Sequence, residues 1–273
     1  MRNLICAALF MTSLCAGIAH ADTILVQQLS GRFSPQDLTV QLGDTVTWAH
    51  LSGSHTVTEG TDGVLDGTEA FHALLDGQHT NYSVTFDAEF IAAYPRAGDV
   101  YNYVCIPHLN AGMIGSVTVE LPATRFCLGD GADGTDCPCS NNSAPGSHGG
   151  CLNSLGQGAV LTPIGTASFA ADDFGLLLTQ GHPLQPTMFI QGATQIAIPF
   201  KDGKLCMGTP TERMEIVFLD GAGAGATVES IVTNGVVPGP GARRYYQAWY
   251  RDPSLAVCGV RSNLSSGLIV DWI

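Results

Sequence analysis

Past Ile18 this chain has no apolar run approaching the ~20 residues that a membrane-crossing helix needs, so no membrane span is expected. Positive charge is scarce too. From Asp22 to Leu121 twelve acidic residues face only Arg32 and Arg96, a net of −10; from Pro122 onward twelve face eight, a net of −4. A surface of that sign argues against nucleic acid as a partner. Cysteine is almost missing from the first of these stretches, where Cys105 stands alone, and no His-x-His pair occurs anywhere. Cys105 is flanked by Val104 and Ile106 rather than by histidine, and residues 106–111 contain no second cysteine. A second metal centre beside Cys105 therefore has no ligands, and no enzymatic turnover is expected.

At the amino terminus, Met1 and Arg2 precede an apolar run from Leu4 to Ile18, followed by Ala19-His20-Ala21, a small-x-small cleavage signature before Asp22. A signal peptide over 1–21 is expected, with release to the periplasm or the exterior. Leu14 is too large for the residue before a lipoprotein cysteine, so Cys15 is expected to leave with the leader. About 250 residues remain, enough for two domains.

The densest chemistry lies at Val104-Cys105-Ile106-Pro107-His108-Leu109-Asn110-Ala111-Gly112-Met113, a Cys-x2-His-x4-Met run, with His55 fifty residues upstream. One thiolate, two imidazoles and one thioether form a soft, low-coordinate set suited to a blue-copper site. Zinc also accepts histidine and cysteine; the thioether favours copper. A lone thiol in an exported chain needs protection, which metal ligation supplies. A single such site has no open position for substrate, so electron transfer is the expected chemistry. Pro107 has no N–H to offer the sulfur, which favours oxidised copper. His50, His72 and His79 fit no ligand position and read as surface or strand residues.

Strand signals recur through 22–121: Thr23 to Gln28, Asp37 to Leu42, Thr45 to His50, Tyr82 to Asp87, Val100 to Cys105 and Gly115 to Leu121 carry β-branched or aromatic residues between turn formers. They predict an antiparallel β-sandwich with Trp48 buried. Phe33-Ser34-Pro35, Gly43-Asp44-Thr45-Val46-Thr47-Trp48, His55-Thr56-Val57, Tyr103-Val104-Cys105, Pro107-His108 and Gly112-Met113 resemble a plastocyanin or pseudoazurin-type cupredoxin across nearly all of this stretch. The resemblance implies a Greek-key β-sandwich with one type 1 copper ion at one end, ligands His55, Cys105, His108 and Met113, and single-electron exchange with a redox protein. Where many members of that family carry Asn after the first histidine, this chain has Thr56, whose hydroxyl can take over part of the hydrogen bonding. His108 is expected near the surface as the electron exit, with Pro107, Leu109 and Ala111 as an apolar docking patch. Glu59, Asp62, Asp66 and Glu69, placed on the loop after His55, could steer a basic partner such as a cationic cytochrome.

Beyond Leu121 the composition changes. Residues 122–158 are rich in Gly, Ser, Asn and Cys and read as a disulfide-held connector. Cys127, Cys137, Cys139, Cys151, Cys206 and Cys258 form an even set that allows 15 pairings. Their spacing lacks the paired Cys-x2-Cys knuckles of a zinc site, and Asp130, Asp133 and Asp136 lack the alternation of a calcium loop. From 159 to 273, strands are expected at Phe174 to Thr179, Thr187 to Gln191, Gln195 to Pro199, Met214 to Leu219, Arg244 to Arg251 and Leu268 to Trp272, giving a second β-sandwich or jelly roll. The aromatics of Arg244 to Pro253 are expected to pack in a sheet rather than form a sugar platform. The module resembles Cys- and Gly-rich C-terminal segments of secreted bacterial proteins, a likeness that lends no activity and names no partner. The second functional reading is a copper-binding surface or adhesion protein whose C-terminal domain binds a glycan or protein.

Overall fold

The computed structural model describes residues 21–254 and 258–273 and is almost entirely β-structure. The leader reading falls outside the described residues, except for Ala21. The first half runs β1 (Thr23–Leu29), β2 (Arg32–Ser34), β3 (Asp37–Gln41), β4 (Thr45–His50), β5 (His55–Glu59), β6 (His72–Leu75), β7 (Asn81–Thr85), the short helix α1 (Ala88–Ala93), β8 (Val100–Val104) and β9 (Ile114–Glu120). One sheet has the order β2-β1-β4-β7 and the other β3-β9-β8-β5-β6. The pairs β1/β4 and β3/β9 are parallel, and the remaining ladders of these sheets are antiparallel.

Period-2 alternation explains why these two sheets stack. Along β4 the inward residues are Val46 and Trp48, and along β9 Gly115, Val117 and Val119. They meet Val26, Phe33, Val40, Val57, Phe71, Phe86, Tyr101 and Tyr103 in one core. Trp48 is fully buried, with Tyr103 edge-on at 5.3 Å and Phe71 at 5.2 Å. Truncating a side chain of this size costs about 3–5 kcal/mol. Gly115 is required on steric grounds, since a Cβ there would collide with the Gln36 carbonyl and the Tyr103 ring. Its neighbour Tyr103 uses that carbonyl as a hydrogen-bond acceptor at 3.1 Å.

All six strands expected in this half form, within a residue or two at their ends. Sequence reading gave no bounds for β2, β5 or β6 and did not find α1. In β5 the buried positions are His55, Val57, Thr58 and Glu59, so only Val57 is apolar and the strand carries no hydrophobic period.

The second half comprises β10 (Thr124–Phe126), β11 (Val160–Ile164), β12 (Gly175–Thr179), β13 (Pro186–Phe200), β14 (Gly203–Phe218), β15 (Gly225–Ala226), β16 (Arg243–Arg251), β17 (Ser262–Leu264) and β18 (Gly267–Asp271). The larger sheet runs β10-β18-β16-β13-β14, with β17 also on β16; the smaller is β11-β12-β15. Their facing sides share a core of Leu161, Phe174, Leu176 and Leu178 against Phe189, Tyr246, Leu268 and Trp272. The two strands expected over 187–191 and 195–199 are one long strand, β13, which keeps pairing with β14 through three register shifts. Such bulges bend a strand without ending it.

Three disulfides, Cys127–Cys206, Cys137–Cys151 and Cys139–Cys258, use all six cysteines of this half. Two of them tie the segment 122–158 to residues beyond 200, and β10 in that segment pairs with β18. The aspartate loop that invites a calcium reading is filled by a protein cation instead. The Lys204 ammonium, 1% exposed, donates to the carbonyls of Leu128 and Thr135 and to both Asp133 oxygens at 2.7–3.1 Å.

The halves touch through α1 and the start of β8. Ala88 and Ala92 pack on Leu177, with Ile164 and Ala226 alongside. Asp99, next to β8, is ion-paired with Arg125, and both are about nine-tenths buried. Cys105 lies beyond the opposite end of β8, so the contact with the second half and the candidate site sit at different ends of one strand.

Candidate metal centre

Four side chains foreseen as ligands sit at the ends of three strands and in one turn. His55 opens β5 and is buried; Cys105 follows β8 and is fully buried; His108 lies in a tight 3-10 turn over Ile106–Ala111; Met113 immediately precedes β9 and is fully buried. The turn is closed by local hydrogen bonds. His108 N–H donates to Cys105 O at 3.0 Å, Met113 N–H to His108 O at 3.2 Å, and Cys105 N–H to Met113 O at 2.9 Å. Gly112 reverses the chain with φ +80°, a conformation that favours glycine.

Cys105 Sγ lies 3.4 Å from His55 Nδ1 and 3.3 Å from His108 Nδ1, and the three donor atoms are within 4.8 Å of one another. The imidazoles are 4.5 Å apart between centroids and inclined by 33°. Donors this close suit a single ion, and among the described residues no other group of three His, Cys, Asp or Glu side chains is gathered in this way. Met113 is enclosed in the same core as Cys105. A thiolate and two imidazoles gathered this closely match a soft, low-coordinate metal, copper above all. Burial, then the neighbouring His108 and His50, hold the His55 pKa below the ordinary histidine range, opposed by a bond to the Ser52 carbonyl. A neutral imidazole is the form that ligates.

The surroundings of the sulfur are more specific than sequence reading foresaw. Thr56 N–H points at Cys105 Sγ from 3.4 Å, so the thiolate has a backbone donor even though Pro107 offers none. The Thr56 hydroxyl accepts from Ile106 N–H at 2.9 Å, which ties the His55 strand to the Cys105 turn as expected of it. Thr58 Oγ1 donates to Thr56 Oγ1 at 3.2 Å and contacts His72 Nδ1 at 2.9 Å. His72 thus supports the site from its edge without joining it. His50 Nε2 is 2.9 Å from Gly53 O, and His79 pairs with Asp76. Gly53, missed at the sequence level, has φ +84°, and a Cβ on it would press on His55 Nε2. The Ser-Gly-Ser run before His55 is the signal that marks it.

Glu59 needs correction. It is the last residue of β5, not of the following loop, and it is buried with a two-pronged ion pair to Arg96 at 2.7–2.8 Å. A carboxylate spent in that way steers nothing. Asp62, Asp66 and Glu69 do lie on the exposed loop, where they accept backbone N–H groups of the loop itself. That loop leans on the His108 turn, since Gly63 packs against Leu109. Pro107 and Ala111 are exposed, while His108 and Leu109 are half-buried.

Residues 23–120 match the family described as copper binding proteins, plastocyanin/azurin family. Plastocyanin from Scenedesmus fuscus is 36% identical over 89 residues, which cover 32% of this chain and 86% of that protein. The chloroplastic plastocyanin of Tetradesmus obliquus has the same identity over 32% of this chain and 58% of its own. A solved structure, the reduced Cu(I) form of an amicyanin mutant, aligns at 29% identity over 36% of this chain and 82% of that one, with a TM-score of 0.28. The family match stops at residue 120, before β10. Through residues 23–120, the chain belongs to the plastocyanin/azurin family of copper-binding proteins.

Proposed function

We propose that this protein is an exported blue-copper carrier that takes one electron from a redox protein and passes it to another, without turning over a substrate. The observation that carries this reading is the gathering of Cys105 Sγ and the ring nitrogens of His55 and His108 within 4.8 Å, with Cys105 and His55 buried and His108 half-buried. His55, Cys105 and His108 would hold one copper ion, with Met113 as a fourth, weaker donor, and the ion when bound would supply a reversible one-electron couple. The residues do the rest. Strands β5 and β8 belong to one sheet and Thr56 bolts them together, so the donor atoms have little freedom to move when the charge of the site changes. Thr56 N–H draws density from the thiolate and favours the reduced state, whereas the missing donor at Pro107 limits that effect.

His108 is the ligand nearest solvent, ringed by Pro107, Leu109 and Ala111, and it serves as the electron exit. Asp62, Asp66 and Glu69 beside it favour a basic partner such as a cationic cytochrome, with attraction that fades as salt rises. A rate of association unchanged when all three are replaced by lysine would remove the steering. The disulfides suit an oxidising compartment and support export after cleavage near Ala21. The division into a copper domain over 22–121, a connector over 122–158 and a C-terminal domain over 159–273 belongs to the same proposal.

The test uses protein beginning at Asp22 and loaded with Cu(II). An intense blue thiolate-to-copper band, the matching electron paramagnetic resonance signal and reversible voltammetry are expected, all lost in Cys105→Ser. A folded but colourless protein would overturn the reading.

A further inference from the structure

We propose that the outer face of the larger C-terminal sheet binds a sugar-acid oligosaccharide, a chain of pyranose rings carrying carboxylates. A hollow of about 380 Å³ opens there, in the size range of small-ligand sites. It is independent of the copper centre, and its residues lie beyond the family match at 23–120.

Sheet register builds the floor. Ile216 pairs with Met188, Met188 with Trp249, and Trp249 with Leu264, so these four side chains form one row across β14, β13, β16 and β17. Two residues further along the strands, Phe218 pairs with Pro186 and Arg251 with Ser262. Ile216 and Phe218 are 60% and 72% exposed, so the row continues out of the hollow as an apolar strip. The wall comes from the bends in β13 and β14, which return the tip of their hairpin over the floor. Phe200 meets Trp249 edge-on at 5.5 Å, and Lys201 lines the hollow beside it. The expectation of buried aromatics in β16 therefore holds for Tyr246 and Tyr250, while Trp249, on the alternate face, lines an open site.

Charge selects the ligand. The chain carries 11 Lys and Arg against 24 Asp and Glu, yet Lys201 and Arg251 both line this hollow and neither has an ion-pair partner among the described residues. Arg261 lies next to Arg251 in an adjoining recess and is likewise unpaired. The nearby carboxylates do not answer them. Asp202 and Asp252 are fully buried, accepting from the Val260 and Ser262 amides and from Ser154. Lys201 meets the Phe200 ring, its ammonium 5.7 Å from the centroid, and cations without a carboxylate over an apolar floor call for an anion with apolar faces.

The position of the hollow separates sugar from peptide. An extended acidic peptide gains most of its affinity by adding to a sheet edge. Here the floor is a sheet face centred on β13 and β16, which are paired on both sides at the hollow, leaving recognition there to side chains. An indole beside a flat aliphatic row stacks on pyranose faces, and two separated cations match carboxylates repeated along a chain rather than one isolated acid.

Intrinsic fluorescence offers a direct readout, because Trp48 and Trp272 are fully buried and Trp249 is the tryptophan facing the hollow. The full mature chain is titrated with trigalacturonate at low salt, with its methyl-esterified form in parallel. Saturable change in tryptophan emission is expected for the acid, with at least tenfold weaker binding of the ester and of the acid at 0.5 M salt. Read by isothermal titration calorimetry, because these variants lack the fluorescent reporter, Trp249→Phe should retain binding that Trp249→Ala loses; Arg251→Gln with Lys201→Gln, changes at exposed side chains, should weaken binding at least tenfold by either readout. Equal binding of acid and ester, or no saturable change, would overturn the proposal. Binding by the double glutamine variant at full strength, or a preference for anionic lipid vesicles over trigalacturonate, would also overturn it.

Discussion

The two halves of the molecule solve the problem of a stable β-sandwich in opposite ways. The copper half has no disulfide and a single, fully buried cysteine; the other half spends six cysteines on three bridges. In the first, a dense aromatic core of Trp48, Phe71, Phe86, Tyr101 and Tyr103 supplies the rigidity. A spare thiol there would compete with the metal or pair with Cys105. In the second, residues 127–158 form loops rather than strands, apart from an isolated bridge between Leu152 and Gly158, and crosslinks replace the missing ladders. The lesson is that cysteine is withheld where its chemistry is used and abundant where its covalent bond is used.

That contrast breaks most visibly when the six bridge cysteines are replaced by serine, since a thiol reductant would also reduce Cu(II) and bleach the blue band. With all three bridges opened, the second half should lose most of its stability, each bridge being worth about 2–5 kcal/mol. The copper half should keep its visible absorption, so thermal melts followed by far-UV circular dichroism and by the blue band should separate. Coincident melting would mean that the halves form one cooperative unit.

Arg125→Met strikes the contact between them. It leaves the Asp99 carboxylate buried without its partner, a loss on the order of 3–5 kcal/mol. Because Asp99 adjoins β8, the strand that leads to Cys105, the melting temperature of the blue band should fall along with that of the second half. An unchanged melting temperature would show that the pair carries no stability between the halves.

Thr56→Val is the smallest change and touches the copper half alone. It removes the acceptor of the Ile106 N–H while keeping the shape, at a cost of about 1–3 kcal/mol. The Thr56 N–H to sulfur survives the substitution, so the blue band should persist with a shifted or broadened maximum as the turn loosens. Stability of the second half, read by circular dichroism after the first half has melted, should not move.

Much of this was legible in the chain itself. Alternation in β1, β4 and β9 fixed which faces are buried, and Cys105, His108 and Met113 are close in sequence, so one turn brings them together. The even set of six cysteines declared disulfides, and Thr56 was seen as the stand-in for Asn. What stayed hidden depends on neighbours far apart in sequence. His55 meets Cys105 only because β5 and β8 are adjacent in a sheet. Glu59 reads as a loop acid because nothing local announces Arg96, its partner 37 residues away. Likewise nothing local announces Lys204, whose ammonium enters the loop of Asp133 from 71 residues away.

By itself, then, the sequence determined the donor types, the apolar faces of the strands and the number of crosslinks, since these follow from side-chain chemistry and local period. Tertiary structure alone decided which cysteines pair, which acids are neutralised, and that a bent hairpin returns over Trp249 to form a hollow lined by two cations without an ion-pair partner among the described residues. Those outcomes turn on strand order and register, and loop closure between distant segments costs about the same free energy for many alternative partners, so only the packed sheets choose among them.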